Sequence, residues 1–418
     1  TTFPQIFFPP TLVIPESSYR ESTGFDAIVG NPPYGAELNI TEKKYLVNLY
    51  KTSVGNGNTY VMFLEKSIKY LRKNGISGLL TPTTFLTGDN FTMLRKCLLN
   101  SDILSIIKLP YNTFKDAYID TCIIITQKNE FNKIVKVANI PPKEKLSDAN
   151  QIFSFLKSIN KKIWLESKKN EFIINEITNL IRNKIFANNI INLEDIATID
   201  RGTLPPKKYI RDIIDGSKHY YWFSGQIYRY NYVKELLNVI NIDDLKEFKN
   251  STMFQGERIL IRQLISRQFR INASIVNDNF AFKKNLYCVY LINNKYPAKY
   301  LLGLTNSKLF SYYIYNSISG MQKNDFPSLS LKDARCLPIK QIDFQNKTEK
   351  QSHDKIISLV EQMLESKKQL QLTKTDKDKT YYERKCETLD KQIDSEVYKL
   401  YGLTEEEIKI VEGKDNGN

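Results

Sequence analysis

Two hydrogen-bond acceptors and an aromatic ring follow one another in the tetrad Asn31-Pro32-Pro33-Tyr34. The side-chain carbonyl of Asn31 and the backbone carbonyl of Pro32 can each accept a hydrogen bond from one proton of a planar amino group. That arrangement would leave the lone pair of the amino nitrogen free to attack a methyl donor, while the ring of Tyr34 offers a flat face on which a base can stack. The tetrad is therefore a candidate site for chemistry at an exocyclic amino group.

The elements around the tetrad are those that such a site needs. The apolar run Phe25–Gly30 predicts a buried strand, and the two prolines that follow it force the chain into an extended, rigid turn. The turn would present Asn31 and Tyr34 at the carboxyl edge of a sheet, which is where open α/β sheets bind ligands. A plain proline turn after a strand is the alternative interpretation.

The string Phe-Asp-Ala-Ile-Val-Gly-Asn-Pro-Pro-Tyr at residues 25–34 resembles the catalytic motif of amino-group methyltransferases, above all the adenine-N6 DNA methyltransferases of the Taq-like branch. The resemblance implies methyl transfer from S-adenosylmethionine to adenine N6, with Asn31, Pro32, Pro33 and Tyr34 as catalytic residues. The segments that follow are predicted as a helix, a strand, a helix and two strands, opening at residues 58, 76, 90, 103 and 121. In that family this order forms the second half of a Rossmann-like methyltransferase sheet.

Two aromatic residues take a role only through this resemblance. Phe114 stands just before the last of these strands, where the family places a residue that packs on the flipped adenine opposite the motif tyrosine. A loop aromatic that caps the core is the alternative for Phe114. Phe63 resembles a family residue that lines the adenine of S-adenosylmethionine, so one wall of a cofactor pocket is expected here.

The methyl-donor half of such an enzyme is expected to be missing. It needs a strand, a Gly-rich turn and an acidic residue about 20 residues later, and the Gly-x-Gly at residues 55–57 follows no strand. No Glu-x-Lys sequence has the strand context of a metal nuclease. We therefore expect a carboxyl-terminal fragment, inactive alone, of a restriction-modification enzyme of type IIG, a class that includes type IIS members. Its expected partner is the missing amino-terminal half of the same enzyme.

The composition favours a polyanionic partner such as double-stranded DNA. The 60 Lys plus Arg residues oppose 46 Asp plus Glu, which gives a formal net charge of +14 and a pI near 9.2. The 5 cysteines lie far apart and only 2 histidines are present, so no zinc-ligand spacing can be assembled. Without an apparent membrane span or signal peptide, the sequence predicts a folded cytoplasmic protein with reduced thiols.

The predicted fold is α/β and comprises four regions. They are the carboxyl-terminal half of a methyltransferase catalytic domain at 1–135, a helical connector at 136–190, an α+β DNA-specificity domain at 191–342 and a helical extension at 343–418. Residues 190–340 resemble the specificity domain of Taq-like and type IIG enzymes, which implies that they clamp the duplex and read base edges in the major groove. In the extension, Thr404 and Glu407 predict a capping box for a last short helix.

Basic residues of the specificity domain are the candidates for DNA contact. Arginine suits bidentate contact with phosphate or guanine, and four arginines alternate with apolar residues in the segment 256–270. A solvated edge strand whose arginines pair only with local acids is the alternative. The predicted DNA-binding residues are Lys207, Lys208, Arg258, Arg262, Arg267, Arg270, Lys283 and Lys284.

Three other functions stay open. The chain could be a stand-alone DNA-specificity module whose half catalytic fold is only a platform. It could be a phage-defence DNA methyltransferase without a nuclease. It could also methylate protein glutamine or RNA, because the tetrad can hold any planar amide or amine. The large basic region after residue 190 argues against the last of these.

Overall fold

A computed structural model describes residues 23–35, 37–52, 58–110, 113–114, 119–128, 131–141, 144, 146–167, 169–187, 189–204, 210–211, 219–223, 226–234, 236–241, 251–265, 269–291, 296–317 and 328–413. The chain divides into two compact units, residues 1–179 and 180–418. Each unit buries its own apolar clusters.

The first unit is built on a six-stranded mixed sheet. Its strands are β1 (Phe25–Gly30), β2 (Leu71–Pro82), β3 (Asp102–Lys108), β4 (Thr121–Gln127), β5 (Ile134–Asn139) and β6 (Lys157–Asn160). They lie in the order β1-β2-β4-β3-β5-β6. β1 runs parallel to β2 and β3 runs parallel to β5, whereas β4 is antiparallel to both of its neighbours and β6 is antiparallel to β5. The reversed strand β4 lies between β2 and β3.

Short helices connect these strands. They are α1 (Ile40–Leu49), α2 (Thr59–Tyr70), α3 (Thr84–Thr87), α4 (Thr92–Asn100) and α5 (Lys162–Glu166), with 3-10 turns at Asp89–Phe91 and Ala149–Phe155 and a further helix, α6 (Glu176–Ala187), at the division between the units. α2 buries Tyr60 and Leu64, four residues apart, against the sheet, whereas Phe63 on its other face is 46% exposed. The two predicted helices and three predicted strands between residues 58 and 127 are present, but β2 begins at Leu71, five residues before the predicted start at residue 76.

One prediction about β1 is wrong. Its apolar sequence predicts a buried strand, but most of its residues are exposed, and Val29 is 87% exposed. β1 is the outermost strand of the sheet, so it pairs on one side with β2 and none of the described residues pairs with its other side. Within the described part of the chain, this apolar strand therefore forms the outer edge of the sheet.

A fully buried ion pair fixes the amino end of β3. The Lys161 ammonium contacts the Asp102 carboxylate, and both side chains are at most 1% exposed. The backbone N–H of Asn132 donates to Asp102 Oδ1 at 3.2 Å, and its side-chain amide donates to Oδ2. The pair lies at the sheet edge opposite to the tetrad, so its role is structural.

Replacing Asp102 with alanine is expected to lower the free energy of unfolding by about 3–5 kcal/mol, because the Lys161 charge would remain buried without a partner. Chemical denaturation measures this difference. The matched control is Glu166→Ala, which breaks the exposed Lys162–Glu166 pair and is expected to cost less than about 0.5 kcal/mol. Equal losses in the two variants would show that the buried pair is not a main contributor.

The second unit contains a four-stranded antiparallel sheet with a core on each face. This sheet has the order β15-β14-β17-β8 and consists of β8 (Ala197–Arg201), β14 (Arg258–Arg262), β15 (Ala273–Val276) and β17 (Leu286–Leu291). On β14, Ile259 and Ile261 belong to one apolar cluster, while Leu260 belongs to another. Because successive side chains of a strand point to opposite faces, both faces of β14 are covered.

The other described strands of this unit form two two-stranded sheets and a second four-stranded sheet. They are β7 (Ile190–Asn192) with β18 (Pro338–Lys340), β11 (Gln226–Tyr228) with β12 (Asn231–Val233), and the group β16 (Phe280–Ala281), β10 (His219–Phe223), β13 (Leu236–Asn241) and β9 (Ile210–Arg211). The helices are α7 (Ala298–Asn306), α8 (Lys308–Ser317), α9 (Leu331–Arg335), α10 (Lys347–Leu372), α11 (Asp376–Leu400) and α12 (Glu405–Val411). The predicted capping box of Thr404 and Glu407 at α12 is confirmed. The apolar face of α10 packs into the same core as β14, so these helices brace the domain.

The boundaries differ from the predicted ones. β5 pairs with β3 and β6 pairs with β5, so the first sheet extends past residue 135 to Asn160. Among the described residues of the expected helical connector at 136–190, the structure has most of β5, the strand β6, turns and the helices α5 and α6. The reason is that Val135, Val137 and Ile159 complete the core of the first unit. None of the described helices is long and apolar enough to cross a membrane.

Candidate active site and nucleic-acid interface

The tetrad Asn31–Tyr34 lies directly after β1, at the carboxyl end of that strand. Asn31 and Pro33 are exposed, Pro32 is buried and Tyr34 is half-buried. The buried Pro32 anchors the turn, while the amide of Asn31 remains open to a ligand.

Four segments meet at this edge of the sheet. Because β1 is parallel to β2, both strands end there. Pro82 at the end of β2 pairs with Thr121 at the start of β4, and Lys108 at the end of β3 pairs with Cys122 of β4. Phe114 lies between β3 and β4 and is 37% exposed. The topology therefore brings Phe114 and the tetrad to the same end of the sheet.

Tyr34 packs against the core of the first unit. Its hydroxyl oxygen is buried and has no hydrogen-bond partner among the described residues. Burial raises the pKa of the Tyr34 phenol, and the thiol of Cys122 acts in the same direction. Burial also raises the pKa of Cys122 to about 12. Both groups are therefore neutral at physiological pH, and the ring of Tyr34 is suited to stacking rather than to acid–base work.

Two side chains at the start of α2 hold the edge together. The Thr59 hydroxyl donates to the carbonyl oxygen of Pro33 at 2.6 Å. The hydroxyls of Tyr60 and Thr84 lie 2.9 Å apart, which ties α2 to the segment after β2. The sequence analysis did not single out Thr59, because a threonine at the start of a helix is an ordinary residue until its tertiary contact is known.

The predicted cofactor residue Phe63 lies on the exposed face of α2. Its role in a cofactor pocket stays a prediction.

A basic rim lies at one end of the central sheet of the second unit. β14 and β8 end there, and β17 begins there, because β17 is antiparallel to both strands. Arg262 stands at the end of β14 and is half-buried, Lys283 is exposed, and Lys284 is half-buried. Arg201 at the end of β8 is also half-buried, and its guanidinium lies 5.7 Å from the centroid of the Tyr287 ring. We call Arg201, Arg262, Lys283 and Lys284 the basic rim.

A close backbone approach shapes this rim. A Cβ atom at Gly202 would lie 2.2 Å from the carbonyl oxygen of Lys283, so only glycine fits at this position. The N–H of Gly202 donates to the Leu286 carbonyl at 3.0 Å, and that of Thr203 donates to the Phe282 carbonyl at 2.9 Å. The chain after β8 is thus held against the start of β17, with their basic residues side by side.

Arg258 does not belong to the rim, which corrects its predicted role as an exposed contact. It is 1% exposed, and its guanidinium donates to the carbonyls of Gly256 at 2.7 Å and Asp278 at 2.9 Å. The guanidinium also lies 4.9 Å from the centroid of the Phe280 ring. A buried and hydrogen-bonded guanidinium is not available to a phosphate.

Arg270 is also engaged within the domain. Its guanidinium donates to the Asn306 carbonyl at 2.7 Å and lies 3.7 Å from both Asp390 and Asp394 of α11. Burial raises the pKa of Asp394 to about 6 despite the neighbouring Arg270. Arg229 joins the same cluster through Asp390. Arg270 therefore connects the specificity domain to the helical extension.

Three predicted DNA contacts lie outside the described residues: Lys207, Lys208 and Arg267. Conversely, Arg201 is a rim residue that the sequence analysis missed. Its signal was weak because a single arginine followed by glycine carries no pattern, and only the strand pairing places it beside Lys283.

Comparison with known proteins connects both sites to one class. Residues 1–114 match the family model described as Eco57I restriction-modification methylase, and residues 221–339 match the TaqI-like C-terminal specificity domain. The first match includes the tetrad, and the second includes most of the basic rim.

Two curated relatives match this chain with different identities and over different shares of its length. The putative type II restriction enzyme and methyltransferase RM.MjaORFECS2P of Methanocaldococcus jannaschii is 33% identical over 342 residues, which cover 76% of this chain and 27% of that protein. The type II restriction enzyme and methyltransferase RM.Eco57I of Escherichia coli is 29% identical over 233 residues, which cover 51% of this chain and 22% of that protein. The chain thus spans about a quarter of the length of these relatives.

A solved structure shares the fold. The type IIL restriction-modification enzyme MmeI, in complex with DNA, aligns with a TM-score of 0.55 and 12% identity over 96% of this chain and 58% of that one. At this identity the likeness concerns the fold alone.

Proposed function

We propose that this chain, which matches the models of the Eco57I restriction-modification methylase and the TaqI-like C-terminal specificity domain, forms the carboxyl-terminal portion of an enzyme that binds specific DNA sites and methylates adenine N6. The observation that carries this proposal is the position of the tetrad at a sheet edge shared with Phe114. A type IIG enzyme with a nuclease elsewhere in its chain is the proposed whole protein.

The proposed reaction begins with a flipped adenine at the sheet edge. Asn31 Oδ1 and the Pro32 carbonyl accept hydrogen bonds from the two N6 protons, and the nitrogen lone pair stays free. Tyr34 and Phe114 stack on the two faces of the base. Each stacked face contributes about 1–3 kcal/mol, which is enough to offset the few kcal/mol that unstacking from the duplex costs.

S-adenosylmethionine is the proposed methyl donor, but the described residues do not make a complete site for it. Phe63 offers one wall. The described residues contain no Gly-rich turn after a strand with an acidic residue about 20 positions later, which would bind the ribose of the donor. The proposed mechanism therefore assigns this chain the target base and not the donor.

The open edge of β1 supports a partner segment that supplies the donor site. β1 carries exposed apolar side chains such as Val29, and the neighbouring α1 buries none of its residues. An apolar strand at the outer edge of the described sheet favours pairing with another strand. We propose that the amino-terminal half of the enzyme pairs here and completes both the sheet and the donor pocket.

The basic rim is the proposed DNA interface of the second unit. Lys283 and the half-buried Arg262 place cations at the end of a rigid sheet, where they can neutralise phosphates or read a guanine. Apolar side chains of β14 pack into a core on each face of the sheet, which holds the strand in place next to the rim. The net charge of +14 strengthens attraction to the duplex without selecting a sequence.

The test is selection of random-sequence duplexes by the purified chain at physiological salt, combined with a methylation assay. We expect enrichment of one short site that contains an adenine, because charge attraction alone yields no consensus. We also expect no methyl transfer and no tight binding of labelled S-adenosylmethionine by this chain alone. Salt-sensitive retention without a consensus would contradict site-specific reading, and turnover by the isolated chain would contradict the incomplete donor site.

A further inference from the structure

A single side-chain hydrogen bond reaches the tetrad from the rest of the described residues. The Thr59 hydroxyl donates to the Pro33 carbonyl at 2.6 Å, and Thr59 is 6% exposed. Neither Pro32 nor Pro33 has an N–H, so the middle of the turn cannot be tied through its own donors. The carbonyl oxygens of Pro32 and Pro33 are therefore the backbone groups through which the turn can be hydrogen-bonded. Thr59 donates to that of Pro33.

This bond acts on the one soft torsion of the turn. The proline rings fix φ at Pro32 and Pro33, and the proline that follows Pro32 restricts the ψ angle of Pro32 as well. The remaining freedom is ψ of Pro33, which sets both the direction of its carbonyl and the position of Tyr34. A donor that fixes the Pro33 carbonyl therefore fixes the ring of Tyr34 relative to Asn31 and Pro32.

Thr59 is itself held in place. The next residue, Tyr60, contacts Thr84 through its hydroxyl, and its ring centroid lies 6.1 Å from that of Phe91. The buried guanidinium of Arg95 donates to the carbonyls of Phe85 and Gly88, each at 2.7 Å, which fixes the segment after β2. The hydroxyl of Thr59 thus projects from a rigid support.

We propose that Thr59 is a positioning residue for amino-group methylation. Through the Pro33 carbonyl it sets the angle between the two acceptors that hold the amino group and the ring that stacks on the base. The inference rests on the proposed function and adds a residue outside the tetrad to its machinery. Because small misplacements of reacting groups slow a reaction strongly, loss of this bond should affect rate more than stability.

The experiment compares single-turnover methylation by the complete gene product and its Thr59→Val and Thr59→Ser variants. Valine keeps the shape and removes the donor, whereas serine keeps the donor. We expect Thr59→Val to lower the rate constant about 30-fold and Thr59→Ser to stay within about threefold of the wild type, with unchanged affinity for duplex DNA. With 2-aminopurine at the target position, the Thr59→Val complex should fluoresce more strongly, because the base is stacked less well on Tyr34.

The matched control is Ser101→Ala. The buried Ser101 hydroxyl donates to the Leu98 carbonyl at 2.9 Å at the opposite edge of the sheet, so its loss removes a similar bond without touching the turn. We expect an unchanged rate for this variant. If Thr59→Val does not fold, Thr59→Ala replaces it with the same expectation.

Two results would overturn the inference. A Thr59→Val or Thr59→Ala rate within twofold of the wild type would show that the hydroxyl does not position the turn. Equal slowing by Thr59→Ser would assign the effect to packing of the methyl group. The proposed function fails separately, if Asn31→Ala retains full turnover in the same assay.

Discussion

Asn31→Ala in the complete gene product is expected to lower the rate of methyl transfer about a thousandfold, while affinity for duplex DNA changes less than about threefold. The amide oxygen of Asn31 is one of two acceptors proposed to hold the N6 protons, and it is exposed at the end of β1. Without it the amino group keeps only the Pro32 carbonyl and can rotate away from the reactive orientation. The contacts proposed for the basic rim lie in the other unit and the stacking residues Tyr34 and Phe114 are unchanged, so binding should persist.

The measurement is single-turnover methylation of a duplex that contains the selected site, together with its dissociation constant. Asn100→Ala is the matched control, because Asn100 is an exposed asparagine of the same unit at the opposite edge of the sheet, just before β3. The control should methylate at the wild-type rate. Retained turnover in Asn31→Ala would remove the assignment of the tetrad as the amino-group site.

Local sequence patterns predict the helix and strands that surround the tetrad. The helical spacing of Tyr60 and Leu64 and the apolar stretch of β4 depend on neighbouring residues alone, and the structure confirms both elements. The capping box at Thr404 is local in the same sense. Patterns of this kind predict structure well because the residues that cause them are close in sequence.

Burial in the second unit could not be predicted in the same way. The arginines interleaved with apolar residues in the segment 256–270 predicted DNA contacts, with a solvated edge strand as the alternative. The structure covers both faces, so Arg258, on the same face as Leu260, lies inside and bonds to backbone carbonyls. Arg262 has the same alternation but stands at the strand end, where the rim begins. The difference between the two arginines is tertiary, and no local pattern contains it.

The exposure of β1 has the same kind of cause. An apolar run predicts burial only when another element covers it, and β1 lies at the edge of the sheet. The hydrogen bond between Thr59 and Pro33 joins residues 26 positions apart, which no spacing rule connects. Contacts between residues so far apart in sequence become visible only in the folded chain.

Replacing both Arg262 and Lys283 with alanine is expected to weaken DNA binding about 10- to 100-fold and to reduce the slope of log K against log salt by about 2. Each cation that is replaced leaves one phosphate without a protein charge, so one counterion fewer is released when the DNA binds. If Arg262 instead reads a guanine, the selected consensus relaxes at a single position while the slope falls by about 1. Titration of the selected duplex at several salt concentrations, followed by repeated selection with the variant, separates these outcomes.

Removing positive charge from any part of this basic chain could weaken DNA binding. The control must therefore remove the same charge at another position. Lys350→Ala with Lys355→Ala does this, because both lysines are exposed on α10 and not at the sheet end. Long-range attraction depends on net charge and would respond equally to both pairs of substitutions. Direct phosphate contact depends on position and would respond only at the rim. Equal weakening by the two double variants would therefore remove the rim from the DNA interface, whereas a tenfold or larger difference would locate the interface at the end of β14.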